Sequence, residues 1–200
     1  LSARRLMYWQ VYLHKTSVSS EKMLISIIKR AKNLTQRGQD LFATPALKLF
    51  LKQEFKTEDF QEEPEVLETF LELDDYDIWG AIKIWSHYHD TVLSSLCQKL
   101  LKRELFRIKI STEPASEEEM EHISTKIQQV YGISASDAEY FHSTGQLSNN
   151  AYISGDQKIM ILSKSGEVRD VVDAADLPNI KAMSKIVRKY YRCWPKDISL

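Results

Sequence analysis

Between Ser19 and Arg37 the apolar residues Met23, Leu24, Ile27, Ile28, Ala31 and Leu34 recur every three or four positions, which gathers them on one side of an α-helix. Ser19 or Ser20 is placed to cap its start, and Gly38 to end it. The stretches "TPALKLFLKQEF" and "PEVLETFLEL" predict two shorter helices with Pro45 and Pro64 in their first turns, where the missing N–H has no partner to lose. "DDYDIWGAIKIWSHYH" opens with Asp74 and Asp77 in capping-box relation, and "DTVLSSLCQKLLKREL" opens with Asp90 as its cap. The first half of the chain therefore reads as a helical array.

After Arg103 the period changes. "LFRIKI" alternates as a strand does, and "SEEEMEHISTKIQQVYG" predicts a helix with a Ser116/Glu119 capping box and Gly132 at its end. "AEYFHST", "KIMILSK" and "EVRDVV" read as further strands, the last two joined by a turn at Ser165 and Gly166. A short helix near "AADLPNIKAMS" and a closing strand "IVRKYYRCW" complete the pattern. The expected fold class is α+β, a helical array followed by a small ferredoxin-like, split βαβ, antiparallel sheet. The boundary falls between domains 1–104 and 105–200, and with no Gly/Ser-rich linker there the two are expected to pack together.

Composition narrows the function classes. Hydrophobic residues make up 43% of the chain and charged residues 28%, values that exclude long disorder and a coiled-coil rod. The 27 basic and 28 acidic residues cancel, so the whole chain has no strong pull toward nucleic acid or an anionic membrane, and only a local basic cluster can bind phosphate. No apolar run approaches the roughly 20 residues of a bilayer span, and the N-terminus lacks the apolar core of a signal peptide. Cys97 and Cys193 are far apart without CxxC spacing and read as free buried thiols in a reducing cytoplasm.

Chemistry-bearing motifs are few. "HYHD" offers His87, His89 and Asp90 as metal ligands, but residues two apart at a helix end point in different directions, and Asp90 is already explained as a cap. His122 and His142 stand alone, on a helix surface and a strand. No glycine-rich phosphate loop and no motif around a serine or cysteine nucleophile is present. The opening stretch "RRLMYWQVYLHKT", residues 4–16, is richer. On a helix Arg4, Tyr8 and Tyr12 share a side, as do Arg5 and Trp9, while His14 and Lys15 add a ring nitrogen and a fixed charge. A guanidinium fork, an ammonium and aromatic faces together suit a nucleotide. The rival reading is a buried aromatic helix with ordinary surface charges.

"RRLMYWQVYLHKT" resembles the segment that follows the metal site in HD-superfamily phosphohydrolases of the deoxynucleoside triphosphate triphosphohydrolase type, where an arginine precedes a "VYxHK" run. "DDYDIWGAIKIW" and the later "HDTVLSSLCQKLLKRELFRI" resemble the same family's "DD" before a helix and its "LLxRxLxK" ending, with Arg107 in place of the last lysine. The likeness covers residues 1 to 110 or so, and it places Arg4 at a phosphate, Tyr12 against the sugar, and His14 and Lys15 at or beside the phosphate-binding surface. In some relatives the lysine faces a regulatory nucleotide at a subunit contact instead. The family's metal ligands, a histidine, a His-Asp pair and a distant aspartate, lie upstream of this helix and have no match here; His89-Asp90 falls on the wrong side of the run.

The resemblance thus implies the C-terminal fragment of a metal-dependent nucleotide phosphohydrolase, separated from its N-terminal HD domain and divalent metal and inactive alone. Without that domain the apolar side of "LMYWQVYL" is left uncovered, so the chain is expected to self-associate as a homo-oligomer. Two other classes stay open: a non-enzymatic helical interaction or oligomerisation module, and an independent metal enzyme built on His87, His89 and Asp90.

Overall fold

The computed structural model describes residues 2–149, 159–170 and 187–200. Helix α1 (Ser2–Met7) runs into a π-helical turn (Tyr8–Tyr12), and after Leu13 and His14 the chain enters α2 (Lys15–Gln36). Then come α3 (Pro45–Lys52), α4 (Asp59–Glu62), α5 (Pro64–Leu71), α6 (Asp75–Trp85) and α7 (Thr91–Leu101). Among the described residues no strand precedes β1 (Arg107–Ser111). The second half continues with α8 (Glu117–Tyr131), α9 (Ala135–Ala138), β2 (Ser143–Asn149), β3 (Met160–Leu162), β4 (Val168–Asp170) and β5 (Val187–Trp194).

Most helix ends follow from local chemistry. Pro45 and Pro64 open α3 and α5, Asp74 and Asp77 cap α6 reciprocally, and Asp90 and Ser116 cap α7 and α8. The exit from α7 carries the change of texture after Arg103: the Glu104 N–H reaches the Lys99 carbonyl at 2.8 Å and the Arg103 N–H the Leu100 carbonyl at 3.1 Å. This Schellman closure requires a left-handed residue, and here it is Arg103 at φ 59 rather than a glycine.

Two boundaries differ from the periodicity. Helix α2 begins four residues before Ser19, with His14 as cap, because the Ser19 hydroxyl is buried and donates to the Phe106 carbonyl at 2.9 Å, tying α2 to the entrance of β1. "AEYFHST" is not a strand throughout: α9 ends at Ala138, Phe141 is anchored in the core by a turn, and β2 starts only at Ser143. The predicted helix at "AADLPNIKAMS" lies outside the described residues.

The fold is α+β, as expected. Strand β5 lies between β1 and β2 and runs antiparallel to both, pairing Ile108 with Cys193 and Gly145 with Tyr191. Strands β1 and β2 are therefore parallel to one another, joined through α8 and separated by β5, which is a split βαβ unit. Strands β3 and β4 pair with each other in a second sheet, and β3 exposes Met160, Ile161 and Leu162. Gly145 has a packing reason to be glycine, since a Cβ there would sit 2.9 Å from the Tyr191 ring.

One core joins both halves. Met23, Ile27 and Ala31 of α2 meet Leu93, Leu96 and Cys97 of α7, and the same cluster continues through Phe106 and Ile108 to Ile123 and Ile127 of α8 and Cys193 of β5. Trp85 is fully buried and satisfies its indole N–H on the Phe42 carbonyl at 2.9 Å. A satellite of Phe50, Phe55, Phe60 and Phe70, in edge and stacked pairs, holds the short helices α3, α4 and α5 together.

Truncating Ile27 to alanine is expected to cost about 2 to 5 kcal/mol of stability, whereas Leu71→Ala, at a side chain 74% exposed, should change it by about 0.5 kcal/mol or less, both read from urea denaturation. Arg103→Gly should raise stability by about 1 kcal/mol by relieving the left-handed penalty of a side-chain-bearing residue. A loss on that change would show that the Arg103 side chain contributes more than its backbone conformation costs.

Candidate functional site

The N-terminal segment is not one continuous α-helix. The Leu13 N–H bonds the Tyr8 carbonyl at 2.7 Å, a five-residue step that widens the turn over Tyr8–Tyr12. The Tyr8 and Tyr12 rings still meet, with centroids 5.3 Å apart, while Tyr12 stays 56% exposed. His14 then leaves the helix in an extended conformation, and its Nδ1 accepts the Thr16 N–H at 3.2 Å. An accepting Nδ1 places the ring proton of neutral His14 on Nε2, leaving that edge as a donor. Lys15 is exposed and is the first residue of α2, whose first turn contains no acidic residue. The positive end of a 22-residue helix and the Lys15 ammonium therefore reinforce one another.

Of the four predicted residues, Tyr12, His14 and Lys15 thus follow one another closely on an exposed rim. Arg4 lies in the preceding helix α1, where its backbone alone is described. Lys189 of β5, absent from the predicted set, stands 4.5 Å from the centre of the Trp9 ring and fastens this segment to the sheet. No local sequence signal points to that contact, because it spans most of the chain.

Asp90 does not behave as a metal ligand. Its Oδ1 takes the Leu93 N–H at 2.8 Å and Arg30 Nε at 3.1 Å, and its Oδ2 takes an Arg30 terminal nitrogen at 2.6 Å. Arg30 donates its remaining terminal nitrogen to Asp137 of α9 at 2.8 Å and lies over the Tyr140 ring. Burial works to raise the Asp90 pKa, but the Arg30 hydrogen bonds, the Leu93 N–H and the Arg30 charge outweigh it and hold the carboxyl below its ordinary value. His87 and His89 are exposed, and no group of three metal-ligating side chains is present among the described residues. His122 is exposed on α8 as expected, whereas His142 precedes β2 rather than lying within a strand.

Cys97 and Cys193 are free and buried, and burial pushes both thiols up to about 12, so neither is a nucleophile at neutral pH. No helix among the described residues is long and apolar enough to cross a membrane.

No protein-family model matches the chain. The sequence is 27% identical over 203 residues to an uncharacterised protein of Bacillus subtilis, YwfO, a match covering 99% of this chain and 44% of that protein. The structure is similar to the crystal structure of a phosphohydrolase from Bacteroides thetaiotaomicron, with a TM-score of 0.88 and 45% identity over 98% of this chain and 48% of that one. The chain spans a little under half the length of each of these relatives.

Arg30→Met should cost about 3 to 5 kcal/mol, because it strands the Asp90 carboxylate in a nearly dry setting. The pH dependence carries a second mark of the pair. Because the folded pKa of Asp90 is depressed, its contribution is complete above the ordinary aspartate pKa of about 4 and is lost as pH falls toward the depressed value. Urea titrations should show the parent protein weakening below about pH 4 with a steeper slope than Arg30→Met; equal slopes would mean the pair is not coupled to folding.

Proposed function

We propose that the chain is the C-terminal part of a phosphohydrolase that acts on nucleotides of the deoxynucleoside triphosphate type. The observation that carries this reading is its likeness, at 45% identity across nearly its whole length, to about half of a protein described as a phosphohydrolase. In this reading the HD-type catalytic segment precedes residue 1 and holds the divalent ion, which supplies polarisation of a phosphoester and an activated water. The residues described here do not fit such an ion, since Asp90 is consumed by Arg30 and the α7 cap.

What this chain contributes is charge and position. Arg4 neutralises phosphate oxygens, Tyr12 lies against the sugar, His14 donates through Nε2, and Lys15 adds a point charge at the positive end of α2. Preorganised cations of this kind lower the barrier most where charge develops in the transition state.

A second reading, assembly, is favoured by a separate observation. Leu6, Met7 and Val11 expose about half their surface on the same segment, and Phe70, Leu71 and Tyr76 are exposed around the α5–α6 corner. Apolar surface gathered in this way is characteristic of association, here into a homo-oligomer.

The functional test uses the longer protein with manganese and a panel of deoxynucleoside triphosphates. Arg4→Ala should lower turnover by about thirty- to a thousand-fold, equivalent to about 2 to 4 kcal/mol, and Tyr12→Ala should also raise KM. His89→Ala should leave both parameters near normal. Normal activity in the Arg4 and Tyr12 variants beside a dead His89 variant would refute the assignment. For assembly, light scattering should report a self-associated species that Val11→Glu shifts toward the monomer, and a monomer at high micromolar concentration before substitution would rule it out.

A further inference from the structure

A cavity of about 490 Å³ opens between α2, the turn after α9 and the start of β2, within the size range of small-molecule sites, about 300 to 1,000 Å³. Its α2 wall is Lys22, Ile25, Ser26 and Lys29, residues three, four and seven apart that stack along one side of the helix. Facing them are Met120 of α8, Glu139, Tyr140 and His142 from the turn, and Ser143 and Thr144 of β2.

The lining is cationic and under-satisfied. Lys22 and Lys29 oppose the single carboxylate of Glu139. Lys22 also contacts Glu21 at 2.6 Å, but that carboxylate is more than half exposed and screened by water. Lys29 has no ion pair among the described residues. Ser26 is buried, and its hydroxyl has no hydrogen-bond partner among the described residues. His142 Nε2 is buried without a hydrogen-bond partner among the described residues, and a buried polar atom of this kind is normally satisfied by a polar group. Burial lowers the His142 pKa against a smaller opposing effect of Glu139, so the ring is neutral at neutral pH. Ile25, Met120 and the Tyr140 ring supply the apolar surface an organic body needs.

We propose that this cavity is a second binding site, for a small phosphorylated molecule whose phosphate is held between Lys22 and Lys29 against the Ser26 hydroxyl and whose organic part lies along Ile25, Met120 and Tyr140. Glu139 and His142 then meet hydroxyl or amide groups of that organic part. The site is distinct from the N-terminal segment, although Lys15 stands on the same helix seven residues before Lys22 and extends the positive edge toward it.

Amide NMR of the protein titrated with pyrophosphate, and separately with ADP, tests this. Both probes should shift the Ser26, Lys29, Ser143 and Thr144 resonances, and Lys22→Ala/Lys29→Ala should weaken binding at least tenfold while leaving the rest of the spectrum intact. Should the double variant fail to fold, Lys29→Gln alone, at an exposed position, should still weaken binding several-fold. No shifts, undiminished affinity in the variants, or a response confined to Tyr12, His14 and Lys15 would each overturn the second site. So would exclusion of ADP where pyrophosphate binds, since the cavity would then not accept an organic phosphate. Because activity is not read, the outcome stands apart from whether the N-terminal segment serves a phosphohydrolase.

Discussion

The guanidinium of Arg30 is the point on which the two halves of the chain are pinned. It sits on the apolar stripe of α2 and is almost buried, with Nε and one terminal nitrogen donating to Asp90 at the start of α7 and the other terminal nitrogen donating to Asp137 in α9. A charge buried in this way is costly unless its partners are fixed, and they are, because Asp90 is itself held by the Leu93 N–H and Asp137 lies in the first turn of α9. Arg30 thus sets the distance between α2, the α6–α7 corner and the turn that carries Tyr140 and His142. The cavity walls follow from that spacing. Ser19, bonded to the Phe106 carbonyl eleven residues earlier on the same helix, makes the second stitch.

Much of the fold could be read from short-range patterns. Proline at the first turn, the Asp74/Asp77 box and the Asp90 and Ser116 caps all act within one turn of helix, and the structure has each where the sequence puts it. What could not be read depends on partners distant in sequence. Ser19 has the residue type of a cap but spends its hydroxyl on the Phe106 carbonyl 87 residues away, just before β1, and His14, seldom a cap, takes over the role. "AEYFHST" has strand composition, yet Phe141 gains more by entering the core through a turn after α9. The π-helical turn at Tyr8–Tyr12 leaves no periodic trace in five residues.

The candidate sites divide in the same way. The resemblance points to Arg4, Tyr12, His14 and Lys15; His14 and Lys15 stand at the positive end of α2, where anionic ligands are favoured, with Tyr12 in the π-helical turn just before them and Arg4 in α1. In "HYHD" the aspartate does more than cap α7, since Asp90 also holds Arg30. That task had a signal: Met23, Ile27, Arg30 and Leu34 share one stripe, and an arginine on a core face demands carboxylate partners. Lys189 against Trp9 and the lining of the cavity had none, since they join residues far apart in sequence.

Helix α2 explains why binding chemistry and core packing can share one element. At about 100° per residue, Met23, Ile27, Ala31 and Leu34 cluster on one side, and Lys15, Lys22 and Lys29, each seven apart, drift only slightly along a line at the edge of that side. Between the two runs lie Ser19, Ser26 and Arg30, residues polar enough to face the lysines and small or paired enough to be buried. The helix therefore passes from apolar through hydroxyl and guanidinium to ammonium around its circumference. A phosphate approaching the lysine edge meets hydrogen-bond donors before it meets hydrocarbon, and the rigidity of the packed side keeps those donors from collapsing onto one another. Cations held apart by a core, rather than by loops, are already spaced for an anion, so less ordering is required when one binds.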